Sequence, residues 1–177
     1  WGHELVEELQ QRHAFLVLRG NEITTDQGDM IVFGFHKDIR GIIKLEELRA
    51  EVSRVGGFMI VAHPFRGFLT FGIGQLGLTP EKAMARPLFE SVDAVDVLNS
   101  KSTAKENDFA AKVASGLNLP ATGGSDAHEV SEVGIFATRF RQAIRDERGL
   151  VEALKTGVTA PIAFRRETRS RAYGRTA

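Results

Sequence analysis

The sequence TGGSDAH, at residues 122–128, places a carboxylate and an imidazole two positions apart. In an extended chain the side chains of Asp126 and His128 point to the same side, because side chains alternate along a strand. Both follow Gly123 and Gly124, and glycine can adopt backbone conformations that other residues avoid. The pair suits a metal ion or an acid/base role, although a glycine-rich turn with a capping aspartate would produce the same pattern.

The composition indicates one soluble globular domain. The chain has 177 residues, of which 42% are hydrophobic and 26% charged, and this is enough to bury a core. No apolar run approaches the roughly 20 residues that span a bilayer, and the first residues do not form a signal peptide, so we expect a cytoplasmic protein without membrane contact. The chain has no cysteine. A metal would therefore be held by His, Asp and Glu, which accept manganese, iron, zinc or magnesium.

Charge is balanced overall but unevenly distributed. Equal numbers of basic and acidic residues, 23 of each, argue against a globally basic nucleic-acid-binding protein. The last 13 residues contain five arginines and one glutamate. We expect an α/β domain over residues 1–160 and a basic C-terminal tail over residues 161–177. A solvated, flexible end is the usual explanation of such a tail, and contact with phosphate, nucleic acid or a partner is the less common one.

Helical and strand patterns alternate along the whole chain. Strands are predicted over residues 14–24, 30–35, 57–64, 94–100, 120–126 and 133–140. Helices are predicted over residues 3–12, 45–56, 79–89, 103–116 and 147–157. Alternation with continuous apolar strands predicts an α/β architecture with parallel strands covered on both faces. In such folds the chemistry lies at the C-terminal ends of the strands.

Polar residues stand at the ends of several predicted strands. His63, Asn99 and Asp126 with His128 each follow or end a strand, and Glu22 lies near the end of the first. We expect these side chains to converge on one rim of the sheet. A single core histidine is usually a hydrogen-bonded structural residue, but several strand-end histidines and acids together are harder to explain by packing.

Four segments in this order resemble the PHP (polymerase and histidinol phosphatase) family of metal-dependent phosphoesterases. They are GNEITTDQGD (20–29), AHPFRG (62–67), VDAVDVLNS (92–100) with Asn107 beyond it, and GLNLPATGGSDAH (116–128). Each segment alone is a weak signal, but together they cover most of residues 20–140. The resemblance implies a distorted (β/α)7 barrel related in design to the TIM barrel. It also implies two or three divalent ions, such as Mn, Zn or Fe, at the C-terminal mouth.

The resemblance also implies a role for individual residues. Glu22 would bridge two metals, His63 would bind the second, Asp126 the first and His128 a third. A bridging carboxylate supplies the shared negative charge that two neighbouring cations need, and such a pair can activate a water. Arg66, three residues after His63, would contact the substrate's phosphate through its planar set of donors.

Two departures from the family pattern affect the expected site. The family opens with a strand bearing a His-x-His pair, followed by an Asp and another His, and no residue before Glu22 matches them. His3 and His13 stand singly, so we expect a PHP-type barrel that is incomplete at its N-terminus. Relatives often have a histidine where this sequence has Asp29. Asp29 is therefore a candidate replacement ligand, with a turn-forming aspartate as the alternative and His36 as a weaker candidate.

The first functional hypothesis is a phosphoesterase acting on a phosphorylated small molecule or nucleotide. A metal-activated water would attack phosphorus, with Arg66 and Asp126 as catalytic residues and Lys101 as a weaker phosphate contact. A non-catalytic scaffold or interaction domain is one alternative. An amidohydrolase-like C–N hydrolase is another, and it would not require a phosphate contact. An exposed sheet edge would also allow oligomerisation.

The segment RGFLTFGIGQLGLT (66–79) is a candidate lid over the mouth of the barrel. It combines four glycines with apolar residues directly after the AHP motif. Phe68 and Phe71 would contact an organic part of the substrate if the segment closes over it. A loop packed on the rim is an equally good interpretation of the same residues.

Overall fold

The structure is a computed structural model that describes residues 2–68 and 77–164. Most of the predicted lid, residues 69–76, and the arginine-rich residues 165–177 lie outside the described residues. The strands are β1 (Asn21–Thr25), β2 (Gly28–Phe33), β3 (Phe58–Val61), β4 (Ala94–Asn99), β5 (Ala121–Gly124), β6 (Phe136–Phe140) and β7 (Thr159–Ala163). The helices are α1 (His3–His13), α2 (Leu45–Arg54), α3 (Pro80–Met84), α4 (Ala104–Gly116) and α5 (Glu147–Lys155), with 3-10 turns at Pro87–Glu90 and Val130–Glu132.

The main sheet has five strands in the order β1-β2-β3-β4-β5. β3, β4 and β5 are parallel, as expected, but β1 and β3 each run antiparallel to β2. The prediction of uniformly parallel strands is therefore wrong for the N-terminal part of the sheet. For β1 and β2 the antiparallel pairing follows from the two-residue connection between Thr25 and Gly28, because so short a loop can join only antiparallel neighbours. Within the described residues the sheet is open and forms no closed barrel.

The C-terminal two-stranded sheet, whose strands are connected through α5, lies beside β5 without joining its ladder. β6 and β7 form a separate antiparallel sheet. The hydroxyl of Thr138 accepts a hydrogen bond from Gly123 N and donates one to Gly123 O. Thr159 donates to the carbonyl of Ala121 at 2.8 Å. β7 was missed by the sequence analysis, and it continues to Ala163, three residues beyond the boundary predicted for the domain.

The two faces of the sheet contact different helices. On one face, Val95 and Val97 belong to a core that also includes Leu48 of α2 and Val113 of α4. On the other face, Phe58, Ile60 and Ala94 pack with Val151 and Leu154 of α5. Because side chains alternate along β4, the residues between the valines face the α5 side. This alternation places one charged residue of β4, Asp96, on the α5 side.

Local signals in the sequence explain where several elements begin and end. The predicted capping box is confirmed at α4, where the Thr103 hydroxyl accepts from Glu106 N and the Glu106 carboxylate accepts from Thr103 N. Thr79 caps α3 as predicted. α3 ends earlier than expected, at Met84, because Pro87 cannot continue an α-helix and disfavours the helical conformation of the residue before it.

The first predicted strand, residues 14–24, is the largest local error. α1 continues to His13, and regular strand structure begins only at Asn21. Glu22 is consequently the second residue of β1 and does not lie near its end. Asp29 lies in β2, paired with Thr24, so the turn itself is formed by the two residues before Gly28.

Candidate metal centre

Three potential ligands meet where β1, β2 and β3 adjoin. One ligand atom from each of Glu22, Asp29 and His63 lies within 4.8 Å of the other two. Glu22 Oε1 is 3.2 Å from His63 Nε2. The antiparallel hairpin produces this meeting, because Glu22 pairs with Ile31, and Asp29, two residues before Ile31, faces the same side. The start of β2 also adjoins the end of β3, where Ala62 N donates to Asp29 O at 2.9 Å.

A second cluster lies where β4 and β5 end. Arg66 Nη1 donates to Asp126 Oδ2 at 2.8 Å. Asn99 Nδ2 is 3.4 Å from the same oxygen and 3.0 Å from Asp96 Oδ2. Asp96 Oδ2 also accepts from the backbone N of His63 at 3.4 Å. A chain of hydrogen bonds therefore connects the predicted ligand Asp126 to the predicted ligand His63.

Asn107, on α4, holds the end of β4 through the backbone of Asn99. Its Oδ1 accepts from Asn99 N and its Nδ2 donates to Asn99 O, both at 3.1 Å. Both asparagines are buried. Because the amide of Asn107 satisfies both backbone groups of Asn99, the Asn99 side chain is free to reach Asp96 and Asp126. Glu106, on the same helix, accepts from Gly67 N at 2.8 Å and so anchors the segment that carries Arg66.

Asp96 is the site residue that the sequence analysis missed. Its side chain is buried, and its Oδ1 is the one buried side-chain oxygen without a hydrogen-bond partner in the described part of the chain. Burial raises the pKa of this carboxyl above its usual value, and hydrogen bonds from Asn99 and His63 N oppose the shift. The signal in the sequence was an acid within the apolar run AVDVL of a predicted strand.

His63 and Asp126 both have backbone conformations that non-glycine residues rarely adopt. Their φ angles are 30° and 47°. Left-handed conformations cost free energy outside glycine, so the surrounding hydrogen bonds must hold them. In both residues the unusual conformation follows directly after a parallel strand, where it directs the side chain toward the rim.

His128 lies beside Asp126 at the exposed edge of the site. Its Nδ1 is 3.0 Å from Asp126 O and 3.8 Å from Asp126 Oδ1, and its side chain is 70% exposed. Lys101 forms an ion pair with Glu132, whose other oxygen accepts from His128 N. The hydrogen bond from Lys101 lowers the pKa of Glu132 to about 2. The ammonium of Lys101 is thus engaged with Glu132, and its role as a phosphate contact stays a prediction.

The two clusters share one electrostatic environment. The hydrogen bond from His63 lowers the pKa of Glu22, and the charges of Arg66 and His128 lower it further against the opposing effect of burial. Glu22 is 52% exposed at its side chain, whereas His63 is 8% exposed. The donor groups are the imidazole of His63 and the carboxylates of Glu22, Asp29, Asp96 and Asp126, and the unpaired buried oxygen belongs to Asp96. Such groups fit a hard or borderline divalent cation.

Two cavities flank the shared residue His63. The larger, about 360 Å³, is lined by Glu22, Asp96 and Asp126 together with the apolar side chains Ile31, Phe33, Ile60, Phe140, Leu150 and Leu154. The smaller, about 210 Å³, is lined by Asp29, Arg66, Phe68 and Arg86. The candidate ligands therefore separate an apolar cavity from one that contains two arginines.

The remaining histidines lie outside these clusters. His36 Nε2 is 3.0 Å from Glu147 Oε2, and Glu147 also accepts from Gly34 N at the beginning of α5. His3 and His13 are the first and last residues of α1. No helix in the described residues has the length and hydrophobicity that a membrane-spanning segment requires.

Comparisons with known proteins support the resemblance that the motifs indicate. The profile of the family described as PHP-associated matches residues 104–159, which run from α4 into β7. This match confirms the relationship to PHP-domain proteins over that part of the chain. A search of curated proteins finds no match.

Two solved structures are similar to this chain to different degrees. PsfC from Pseudomonas syringae PB-5123 superposes with a TM-score of 0.57 at 23% identity, over 83% of this chain and 59% of PsfC. A protein of Bifidobacterium adolescentis, proposed to be a metal-dependent phosphoesterase, gives a TM-score of 0.42 at 21% identity over 68% of this chain and 39% of its own. The likeness to PsfC concerns the fold alone, and the second similarity supports no functional argument. This chain spans less than two thirds of either protein.

Proposed function

We propose that this protein is a metal-dependent phosphoesterase that hydrolyses a phosphate ester with an activated water. The observation that carries the proposal is the Glu22, Asp29 and His63 cluster, joined through Asp96 to the pair formed by Arg66 and Asp126. Glu22, Asp29 and His63 would hold one cation, and Asp126 with His128 would hold another. When bound, a divalent cation supplies a lowered pKa for water and a counter-charge for the phosphoryl oxygens.

The residues of the chain itself position the ester. Arg66 offers a planar set of donors to phosphate oxygens, and its side chain is 39% exposed, so a ligand can reach it. Asp126 accepts from one of its nitrogens and thereby fixes the plane of the guanidinium. The apolar walls of the larger cavity exclude water and accommodate the organic part of the ester. In this arrangement Arg66 and Asp126 are the catalytic residues.

We also propose that the open sheet is part of a distorted seven-unit barrel of PHP type. The family resemblance supports this proposal, because its His-x-His segment would precede β1 and supply further ligands. A copy of the chain extended at its N-terminus should then bind more metal per molecule than residues 1–177. Equal metal content in the two proteins would contradict the incomplete-barrel proposal.

The test of the function combines metal analysis with hydrolysis of 4-nitrophenyl phosphate. The protein is stripped on a chelating resin and reloaded with Mn, Zn or Fe. We expect hydrolysis only after reloading, and we expect Glu22→Gln to lower both metal content and rate, the rate by more than about a hundredfold. Glu46→Gln is the matched control, because Glu46 is an exposed residue in the first turn of α2.

The alternatives give different results in the same test. Less than one ion per molecule, unchanged by Asp126→Ala, would support a non-catalytic scaffold. Metal-dependent hydrolysis of amide or C–N substrates that is insensitive to Arg66→Gln would support the amidohydrolase-like alternative. Hydrolysis of the phosphate ester by stripped protein would contradict the proposed metal dependence.

A further inference from the structure

The smaller cavity, which shares the lining residue His63 with the apolar one, is also lined by two arginines. Arg66 and Arg86 both line it, together with Asp29 and Phe68. Asp29 is the single carboxylate among the described lining residues, and its oxygen belongs to the cluster with Glu22 and His63. Arg66 is already paired with Asp126 at 2.8 Å. Of the two arginines, Arg86 is therefore the one without a carboxylate partner in the described part of the chain.

Arg86 is held in place although no carboxylate pairs with it among the described residues. Its guanidinium carbon lies 5.8 Å from the centre of the Phe68 ring, a cation–π contact that orients the group. Its backbone is extended before Pro87, and its N and O bond Ala83 O and Phe89 N. The residues that follow Phe68 in the sequence, LTFGIGQL (69–76), contain no acid. A half-buried and oriented guanidinium without a carboxylate partner is suited to bind an anion.

We propose that Arg86, with Arg66 at its side, forms an oxyanion subsite for a second anionic group of the substrate. This inference rests on the proposed function and deepens it, because the scissile phosphate would lie at the candidate ligands that adjoin this cavity. The substrate class is then a phosphate ester that carries an additional phosphate or carboxylate. The larger, apolar cavity, which is also lined by His63, takes the uncharged part of the substrate.

The first arm of the test measures binding of inorganic phosphate by calorimetry to the full chain after metal removal on a chelating resin. A soluble polyanionic chelator is avoided because it would compete for the subsite. We expect Arg86→Gln to weaken phosphate binding about tenfold to a hundredfold, the usual range for a charge-assisted hydrogen bond, and Arg86→Lys to restore part of it. The control Arg54→Gln removes an exposed arginine of α2 that pairs with Glu51, and it should bind like wild type.

The second arm compares three matched esters with the metal-loaded protein: phenyl phosphate, 4-carboxyphenyl phosphate and benzene-1,4-diyl bisphosphate. We expect Arg86→Gln to raise KM about tenfold for one or both of the doubly anionic esters and to leave phenyl phosphate unchanged. The ester with the larger change identifies carboxylate or phosphate as the second group. An equal change for all three esters, or no change for any, would overturn the subsite.

The two arms separate this inference from the proposed function. If no ester is hydrolysed but Arg86→Gln still weakens phosphate binding, the phosphoesterase proposal fails and the anion site stands. If Arg86→Gln lowers the melting temperature without altering phosphate binding, the residue only packs on Phe68 and the inference fails. Arg86→Lys keeps the charge, so it gives a folded comparison if Arg86→Gln is unstable.

Discussion

Two aspartates of β4, one before the strand and one within it, differ in how completely their oxygens are hydrogen-bonded. Before the strand, Asp93 Oδ2 accepts from Met59 N at 2.8 Å and from Arg49 at 2.9 Å. Within it, Asp96 uses one oxygen for Asn99 and His63 N and leaves the other buried without a partner in the described residues. The N-terminal end of the sheet is therefore stabilised by a paired acid. Asp96, whose partners Asn99 and His63 N lie at the C-terminal rim, retains a buried oxygen without a partner in the described residues, as is common where structure serves binding or catalysis.

Unusual backbone conformations are also found at the C-terminal ends of the parallel strands. Of the four described non-glycine residues with positive φ, His63 and Asp126 lie at the C-terminal ends of β3 and β5. Asn118, before β5, also has a positive φ, but asparagine adopts this conformation more readily than most residues. At the C-terminal end the acids, imidazoles and Arg66 also gather, whereas the N-terminal end has the Asp93 pair and apolar packing. The strained backbone of His63 and Asp126 and the unpaired oxygen of Asp96 thus belong to the hydrogen-bonded cluster at the C-terminal rim, which supports a binding role for that rim.

Replacing Asp96 or Asp93 with asparagine should test the difference between these two aspartates with the largest effect. Asp96→Asn should lower the proposed activity about tenfold to a hundredfold, because it removes the buried charge that supports His63 and Asn99 behind the candidate ligands. Asp93→Asn, before the strand, is the matched control, and it should lower the melting temperature but not the rate. Initial rates and melting curves for both variants check this prediction, and equal losses of rate would contradict it.

Removing the support beneath Asn99 should have the next largest effect. Asn107→Ala removes the side-chain partner of the buried Asn99 N and one of the two donors to Asn99 O, which also accepts from Ser102 N, so we expect the free energy of unfolding to fall by about 2 kcal/mol. Asp108→Ala, at the adjacent exposed position of α4, should change it by less than about 0.5 kcal/mol. Urea unfolding measures both values. A similar loss in the two variants would show that the amide of Asn107 adds nothing specific.

The smallest expected effect concerns the exposed edge of the site. The hydrogen bond from Lys101 lowers the pKa of Glu132 from its ordinary 4.5 to about 2, so the contribution of Glu132 to stability is present above pH 4.5 and is lost as the pH falls toward 2. Glu132→Gln should remove this part of the acid sensitivity and slightly lower the melting temperature at pH 6. Melting curves between pH 6 and pH 2 provide the measurement. Lys101→Met should reproduce the change, and an unaltered pH profile in both variants would contradict the assignment.

Much of the candidate site could be predicted from the sequence, because its residues lie in short motifs at strand ends. His63, Asp126 and His128 follow their strands as expected, and Asn99 ends β4. Glu22 reaches the site for a different reason, since it stands early in β1 and meets His63 through the antiparallel hairpin. Asp96 could not be ranked from sequence, because an acid in an apolar strand gives no indication of which oxygen finds a partner.

The sequence by itself determined the features that depend on neighbouring residues: the capping box of α4, the Thr79 cap of α3, the short turn before Gly28 and the order of the candidate ligands. Only the tertiary structure decided the antiparallel pairing of β2 with β3 and the ion pair of Lys101 with Glu132. The same holds, within the described residues, for the unpaired oxygen of Asp96 and for the guanidinium of Arg86 that no carboxylate pairs with. Capping and turn preferences arise within a few residues of chain. Strand direction, ion pairing and burial depend on contacts between residues far apart in sequence, and a single sequence does not specify them locally.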